Sequence, residues 1–323
     1  MTTQEGGAQP KEYIAKYAAD RVRNVSSVWL GATMGCAECH DHKYDPYTTK
    51  DHYQLAAFFA DIDDEQHFKV GTNALPTKRP PEIRVRTAAE EARLRELTTG
   101  DRKNAEAAGR MTMITKTLAT PREVRVLPRG NWLDDSGEIV APAVPHFLPQ
   151  IGKEGRANRL DLANWLTDVE NGTGGLTARV MANRFFYLFF GTGISRSLND
   201  FGGQGQPPSN PELLDRLAVE FHESGWDIKH LVRLLTTSRA YRQSSLAPPN
   251  LRERDPYNQL VARQSRFRLP AEIIRDNSLA LSGLLVTDIG GGSVKPYQPE
   301  GYFRHLNFPQ RKYKPDTDGR VYR

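Results

Sequence analysis

The amino-acid sequence predicts a mainly α-helical protein with irregular helical domains, long loops and little β-structure. Apolar residues recur at helical spacing near the start of the chain and repeatedly after residue 157. Patterns that begin helices, such as the capping box Thr87-Ala88-Ala89-Glu90, precede several of these segments. Only residues 122–127 alternate in the way that is typical of a strand. These three observations favour the helical class.

The first half of the chain is predicted to contain helices separated by polar loops. A helix over residues 11–30 ends at Gly31, and a short second helix begins near Lys50, where Thr48 and Asp51 resemble a capping box. Residues 62–86 are polar and contain prolines, which indicates a loop. We expect the remaining elements to be a helix from Thr87 to about Leu97, a helical piece over 102–110 and a strand over 122–127.

The second half of the chain has the clearer helical pattern. Glycines and prolines punctuate the sequence up to about residue 155, which marks a domain boundary. The predicted helices cover 157–167, 176–190, 210–223, 228–238, 255–264 and 270–284. We therefore divide the chain into a region with a cysteine motif at 1–65, a polar linker with a short strand at 66–155, and a helical domain at 156–323.

Composition excludes several classes of protein. The chain is 38% hydrophobic and 26% charged, as in soluble globular proteins. Its net charge is +5, but the basic residues are scattered among acidic ones, so we expect no nucleic-acid partner. The longest apolar run, Phe185 to Phe190, is far shorter than the ~20 residues of a membrane-spanning helix, so we expect no membrane span.

Both cysteines of the chain lie in the motif Cys36-Ala37-Glu38-Cys39-His40. The pattern C-x-x-C-H is the signature of covalent haem c attachment. Two thiols at this spacing add to the two vinyl groups of the haem, and the adjacent histidine reaches the iron as an axial ligand. The motif therefore predicts that Cys36, Cys39 and His40 bind haem c.

Two other chemistries remain open for the same residues. Cys36 and Cys39 could form a redox-active or structural disulfide. Alternatively, Cys36, Cys39, His40 and His42 could hold zinc or another divalent metal, although ligands this close in sequence strain tetrahedral closure.

The residues after the motif suggest an organised polar shell. Asp41, His42 and Asp45 could join His40 as metal ligands, or they could tune a nearby iron. A turn at Asp45-Pro46 explains the same residues without a ligand. No sixth iron ligand can be identified, although His52 or His67 could serve.

A second group of polar residues lies on a predicted helix. Arg179 and Asn183 are four residues apart on one face, and Arg184 is beside them. They could line an anion-binding site, for example for a sulfated sugar. A structural role, in which they hold the loop that begins at Asp200, is the stronger interpretation.

Long segments of the chain resemble a known family. The stretch from Gly31 to Pro46, with Asp51-His52-Tyr53-Gln54-Leu55-Ala56-Ala57-Phe58-Phe59 after it, resembles the DUF1549 (PSCyt2) domain of cytochrome-associated proteins from Planctomycetes. Several later segments resemble the DUF1553 (PSD1) domain. They are Leu176 to Arg184, Asp200-Phe201-Gly202, Pro211 to Asp215, Gly225-Trp226, Ser238 to Ser244 and Arg268 to Asp276.

The resemblance implies an extracytoplasmic protein. Family members are periplasmic or secreted, often carry a cytochrome c-like domain upstream, and are frequently encoded near genes for the breakdown of complex or sulfated polysaccharides. Met1 to Gly7 has neither the basic region nor the apolar region of a signal peptide. We therefore expect that a signal peptide and an upstream domain are missing here, and that the DUF1553 region is truncated at its C-terminus.

The leading hypothesis is a c-type haem protein that transfers electrons or takes part in oxidation and reduction, alone or with a redox partner. The second hypothesis is a polysaccharide-binding or scaffold module with a structural cysteine pair. The third is a metal-dependent hydrolase that uses the Cys/His/Asp cluster.

Overall fold

The computed structural model describes residues 9–66, 81–97, 101, 110–288, 293–302 and 313–323. It confirms the mainly α-helical class, with 43% helix and 5% strand. The chain divides into two compact units, residues 1–265 and residues 266–323. None of the helices in the described ranges combines the length and the apolar character that crossing a bilayer requires.

Several helices begin at a residue whose side chain caps the helix. Thr48, Thr87 and Asn158 each form a capping box with the acidic residue three positions later. The helices are α1 (Pro10–Val25), α2 (Thr49–Ala57), α3 (Ala88–Glu96), α4 (Arg159–Thr167), α5 (Gly174–Phe190), α6 (Pro211–Glu223), α7 (Ile228–Thr237), α8 (Pro249–Arg254) and α9 (Ala271–Leu281). A five-residue π-helical stretch, Ser26–Leu30, extends α1.

The described strands form two small antiparallel pairs. Strand β1 (Glu82–Val85) pairs with β2 (Arg110–Met113), and β3 (Val124–Arg125) pairs with β4 (Ile139–Val140). The predicted strand at 122–127 is thus confirmed over its centre. The first pair corrects the predicted loop at 62–86, which contains β1. The predicted helix at 102–110 lies outside the described residues except for Arg110, which is in β2.

One core joins the beginning of the chain to α4. Its buried members come from α1, α2, α4 and the segments next to them: Val22, Leu30, Ala32, Met34, Ala37, Tyr47, Leu55, Ala56, Phe58, Val144, Leu162, Trp165 and Leu166. This core includes residues on both sides of residue 155, where the sequence suggested a boundary. The predicted division of the chain into three regions stays a prediction.

A second core lies between α5, α6 and α7. Phe186 and Phe190, one turn apart on α5, stack with their ring centroids 4.1 Å apart. Leu214 of α6 and Leu231 of α7 are fully buried in the same cluster. The aromatic run that was too short for a membrane span therefore supplies part of this core.

The predicted helix at 255–264 is wrong. Pro256 disfavours helical backbone at Asp255, and α8 ends just before that residue. The Asp255 carboxylate accepts hydrogen bonds from the backbone N–H groups of Gln259 and Leu260 at 2.8 Å. Asn258 and Val261 have positive φ angles of 54° and 51°. These local bonds hold a series of turns in place of a helix.

Gly31 is expected to tolerate no side chain. It ends the π-helical stretch with φ 57°, and a Cβ there would lie 2.8 Å from Cδ2 of Phe201 and 3.0 Å from Cγ2 of Val180. Gly31→Ala should lower the free energy of unfolding by about 2 kcal/mol, because backbone strain and a clash add. Urea denaturation measures this loss.

Gly155→Ala is the matched control for this prediction. Gly155 has φ 79°, but a Cβ at this position would have no neighbouring atom within 4 Å, so the substitution adds strain without a clash. Gly155→Ala should lower the free energy of unfolding by about 1 kcal/mol. Equal losses in the two variants would contradict the packing that we assign to Gly31.

Candidate functional site

The two cysteines lie on a 3₁₀ turn at the protein surface. The turn covers Met34–Glu38, and Cys39 ends it. Met34 and Ala37 are fully buried, whereas both cysteines are exposed and unpaired. The turn and its C-cap residue therefore present two free thiols, three residues apart, to solvent.

Side chains of α1 and α2 bind this turn and hold it in place. Arg23 of α1 pairs with Glu38 at 3.0 Å. His52 of α2 donates from Nδ1 to the carbonyl of Met34 at 3.1 Å, and the Tyr53 hydroxyl donates to the carbonyl of Glu38 at 2.9 Å. Burial, and then the charges of Glu38 and Cys39, raise the pKa of Tyr53, so this hydroxyl stays a donor.

A glycine loop approaches Cys39 closely. Gly130 has φ 71°, and a Cβ at this position would lie 2.8 Å from Sγ of Cys39. Only glycine therefore fits at the side of this thiol without displacing it. The loop gives Cys39 a defined orientation although the residue is exposed.

His40 offers one free nitrogen to the surface. Its ring is exposed, and Nδ1 lies 2.8 Å from the carbonyl oxygen of Asp41. A carbonyl only accepts, so Nδ1 carries the hydrogen and Nε2 retains a lone pair. A histidine ligand whose second nitrogen donates to a carbonyl has this arrangement. His40 thus fits the role of an iron ligand.

The other predicted metal ligands are already engaged in local hydrogen bonds. Nδ1 of the buried His42 accepts from the backbone N–H of Asp45 at 2.9 Å, and its Nε2 lies 3.0 Å from Oγ1 of Thr33. Asp41 accepts from the N–H of Thr49 at 2.8 Å, and Asp45 accepts from the N–H of Gly203 at 2.7 Å. These contacts shape the turn after the motif.

The metal hypothesis therefore lacks an assembled site in the part of the chain that the structure describes. No three His, Cys, Asp or Glu side chains there are grouped so that they could hold an ion. His40 remains exposed, whereas His42 is held by backbone donors, so the set His40, Asp41, His42 and Asp45 does not converge on one point.

Asp51, in the first turn of α2, is a buried carboxylate that accepts several hydrogen bonds. The side chain is 1% exposed and accepts from the N–H and hydroxyl of Thr48, each at 2.8 Å, and from the N–H and Nδ1 of His146, each at 2.9 Å. Burial opposes its ionisation, but the bonds from Thr48 and His146 outweigh burial and lower the pKa of Asp51. This carboxylate ties α2 to the segment before α4.

The three residues of the predicted anion site point to separate partners. Asn183 is fully buried and exchanges hydrogen bonds with the backbone of Ser195 at 2.8 and 2.9 Å. Arg184 donates to the carbonyl of Ser27 at 3.0 Å and to Oδ1 of Asn199. Arg179 lies 3.0 Å from Asp215. The geometry supports the structural interpretation of these residues.

A cavity of about 570 Å³ lies next to the cysteine turn, and the sequence did not indicate it. It is an open cavity lined by α1, α2 and residues 122–135, and Glu38 of the turn lies in its wall. The three segments are distant in sequence, so no local pattern could have revealed the cavity. The small side chains of α1 that line it, Ala15, Ala18 and Ala19, are ordinary helix residues when read alone.

The fold and the site together define a helical protein with a surface-exposed C-x-x-C-H turn. The chain belongs to the PSD1 family, described as "Protein of unknown function (DUF1553)", whose family model matches residues 158–323. The PSCyt2 family model, "Protein of unknown function (DUF1549)", matches residues 1–64. Both matches confirm the resemblance found in the sequence. No curated protein and no solved structure shows significant similarity to the chain.

Proposed function

We propose that the protein is a c-type haem protein in which Cys36 and Cys39 bind the haem covalently and His40 is an axial ligand. The observation that supports this proposal is that two unpaired, exposed cysteines three residues apart, at a 3₁₀ turn, are followed directly by a histidine with an available Nε2. A disulfide explains the spacing of the cysteines but gives no role to His40. A metal site would use His40 equally well, but no group of three His, Cys, Asp or Glu side chains in the described residues could hold an ion.

Attachment of the haem to the two cysteines needs no oxidant. Each thiol adds across one vinyl group, so that a carbon–sulfur bond forms and the thiol hydrogen moves to the neighbouring vinyl carbon. Exposure of both cysteines gives a large planar group access to the two sulfurs at once. The bound group would supply one-electron transfer at its iron.

The role that we propose is electron transfer or participation in an oxidoreductase reaction, with a redox protein or a cytochrome c-like domain as partner. Covalent haem attachment takes place outside the cytoplasm, so we also propose a periplasmic or secreted location. A link to polysaccharide breakdown rests on the family resemblance alone. The pairing of Arg179 with Asp215 leaves the sulfated-sugar site without a free cluster of arginines.

The test of this proposal is whether the full chain carries covalently bound haem. We expect the protein, expressed with a signal peptide and the c-type maturation machinery, to keep a haem-stained band on a denaturing gel. A pyridine haemochrome spectrum should give about one haem per chain. A known c-type cytochrome matured in the same cells is the control. A colourless chain beside a stained control would overturn the proposal.

A further inference from the structure

We propose that the cavity between α1, α2 and residues 122–135 binds a neutral phenol, a mostly apolar aromatic molecule that donates one O–H group to Nε2 of His52. The cavity volume, about 570 Å³, is within the range of small-molecule sites. The proposal does not depend on haem attachment, because the cavity lining does not include Cys36, Cys39 or His40.

The polar atom available to a ligand is an acceptor. His52 is 1% exposed and lines the cavity. Its Nδ1 donates to the carbonyl of Met34, so Nε2 retains a lone pair. No described group donates to that atom. Burial also lowers the pKa of His52, which keeps the ring neutral. An acceptor without a protein partner in the wall of a cavity favours a ligand that brings a donor.

The charges around the cavity are already paired. Lys11 lies 2.6 Å from Asp135, and Arg125 lies 2.7 Å from Glu123. Arg21 and Arg122 both bind Asp64, and Glu38 binds Arg23. Every charged side chain in the described wall therefore has an oppositely charged partner. A charged ligand, such as a sulfated sugar or a carboxylate, would have to displace one of these pairs.

The remaining wall suits an aromatic ring. Phe59, Tyr53 and Trp132 line the cavity and offer ring faces or edges to a flat molecule. The alanines of α1, together with Ala56 of α2 and Ala60 just after that helix, leave room for it. One acceptor, paired charges and an aromatic wall together select a neutral phenol over a polyol or an ion.

The test uses 4-propylphenol and its methyl ether, 4-propylanisole, with the full chain in calorimetric titrations at neutral pH. We expect the phenol to bind about tenfold more tightly than the ether, because the ether has no donor for Nε2. His52→Leu should weaken phenol binding by about tenfold and leave ether binding unchanged. 4-Propylbenzoate should bind more weakly than the phenol.

Ala15→Phe is the second variant, and it does not disturb the buried histidine. Ala15 is only partly buried on α1, so a larger side chain can fill the cavity while the helix stays folded. It should abolish binding of both neutral probes. Equal binding of phenol and ether, a phenol affinity unchanged in His52→Leu, or undiminished binding by Ala15→Phe would each overturn the proposal.

Discussion

A chain in which Cys36 and Cys39 are both replaced by serine is expected to carry no covalent haem. These are the two cysteines of the sequence, so no other thiol can form a thioether. Serine is similar to cysteine in size, but its hydroxyl group does not add to the vinyl groups of haem. The haem-stained band should disappear completely, while the chain itself is still detected on the gel by protein stain.

Single substitutions refine this prediction. Cys36→Ser and Cys39→Ser should each retain one thioether, with a weaker band and a pyridine haemochrome maximum shifted from that of the unaltered protein. His222→Gln, at a histidine of α6, is the matched control and should stain normally. Haem that remains on the double serine variant after denaturation would mean that attachment does not use this motif.

Asp51→Ala is expected to cause the largest loss of stability that we predict for a single residue. The substitution removes a buried acceptor from four partly buried donors of Thr48 and His146, and one of the four bonds is half of the capping box of α2. We expect the free energy of unfolding to fall by about 3 kcal/mol. Denaturation in urea, followed by circular dichroism, measures the loss.

The matched control is Asp41→Ala. Asp41 is exposed and accepts one hydrogen bond, from the N–H of Thr49 at the same end of α2. Its removal should cause a much smaller loss. Similar losses at the two positions would show that Asp51 contributes only as a helix cap and not through its bonds to His146.

The contribution of Asp51 to the free energy of unfolding also depends on pH. Its pKa is lower in the folded protein than the ordinary value of 3.8, so below about pH 5 the unfolded chain begins to bind a proton that the folded protein does not. The stability that this carboxylate provides is therefore present above that pH and lost as the pH falls towards the folded pKa. Asp51→Asn cannot titrate, so its difference in stability from the unaltered protein should shrink on acidification.

The sequence predicted those features that depend on neighbouring residues. The capping box at Thr48 and the proline start of α6 are both visible in the sequence, because each is a local signal. The C-x-x-C-H motif likewise identified which residues could bind haem. The strands β1 and β2 were missed, because four-residue strands with weak alternation resemble a polar loop.

The features that escaped prediction depend on distant contacts. A structural role was the favoured interpretation of Arg179, Asn183 and Arg184, but their partners were not predicted. Asn183 binds the backbone of Ser195 with both atoms of its amide. The free nitrogen of His40 depends on a backbone carbonyl whose direction no sequence pattern encodes. The cavity between α1, α2 and residues 122–135 forms only when these three separate segments come together.

The shared core of α1, α2 and α4 has a consequence for the order of folding. Val22 and Met34 pack in the same cluster as Leu162 and Trp165, far along the chain, so loop-closure entropy must be overcome before these contacts can form. Chains rich in such distant contacts fold slowly. The cysteine turn itself packs on α1 and α2, which precede α4 in the chain. The turn and these two helices can therefore associate first, and the core is completed when Leu162 and Trp165 join it.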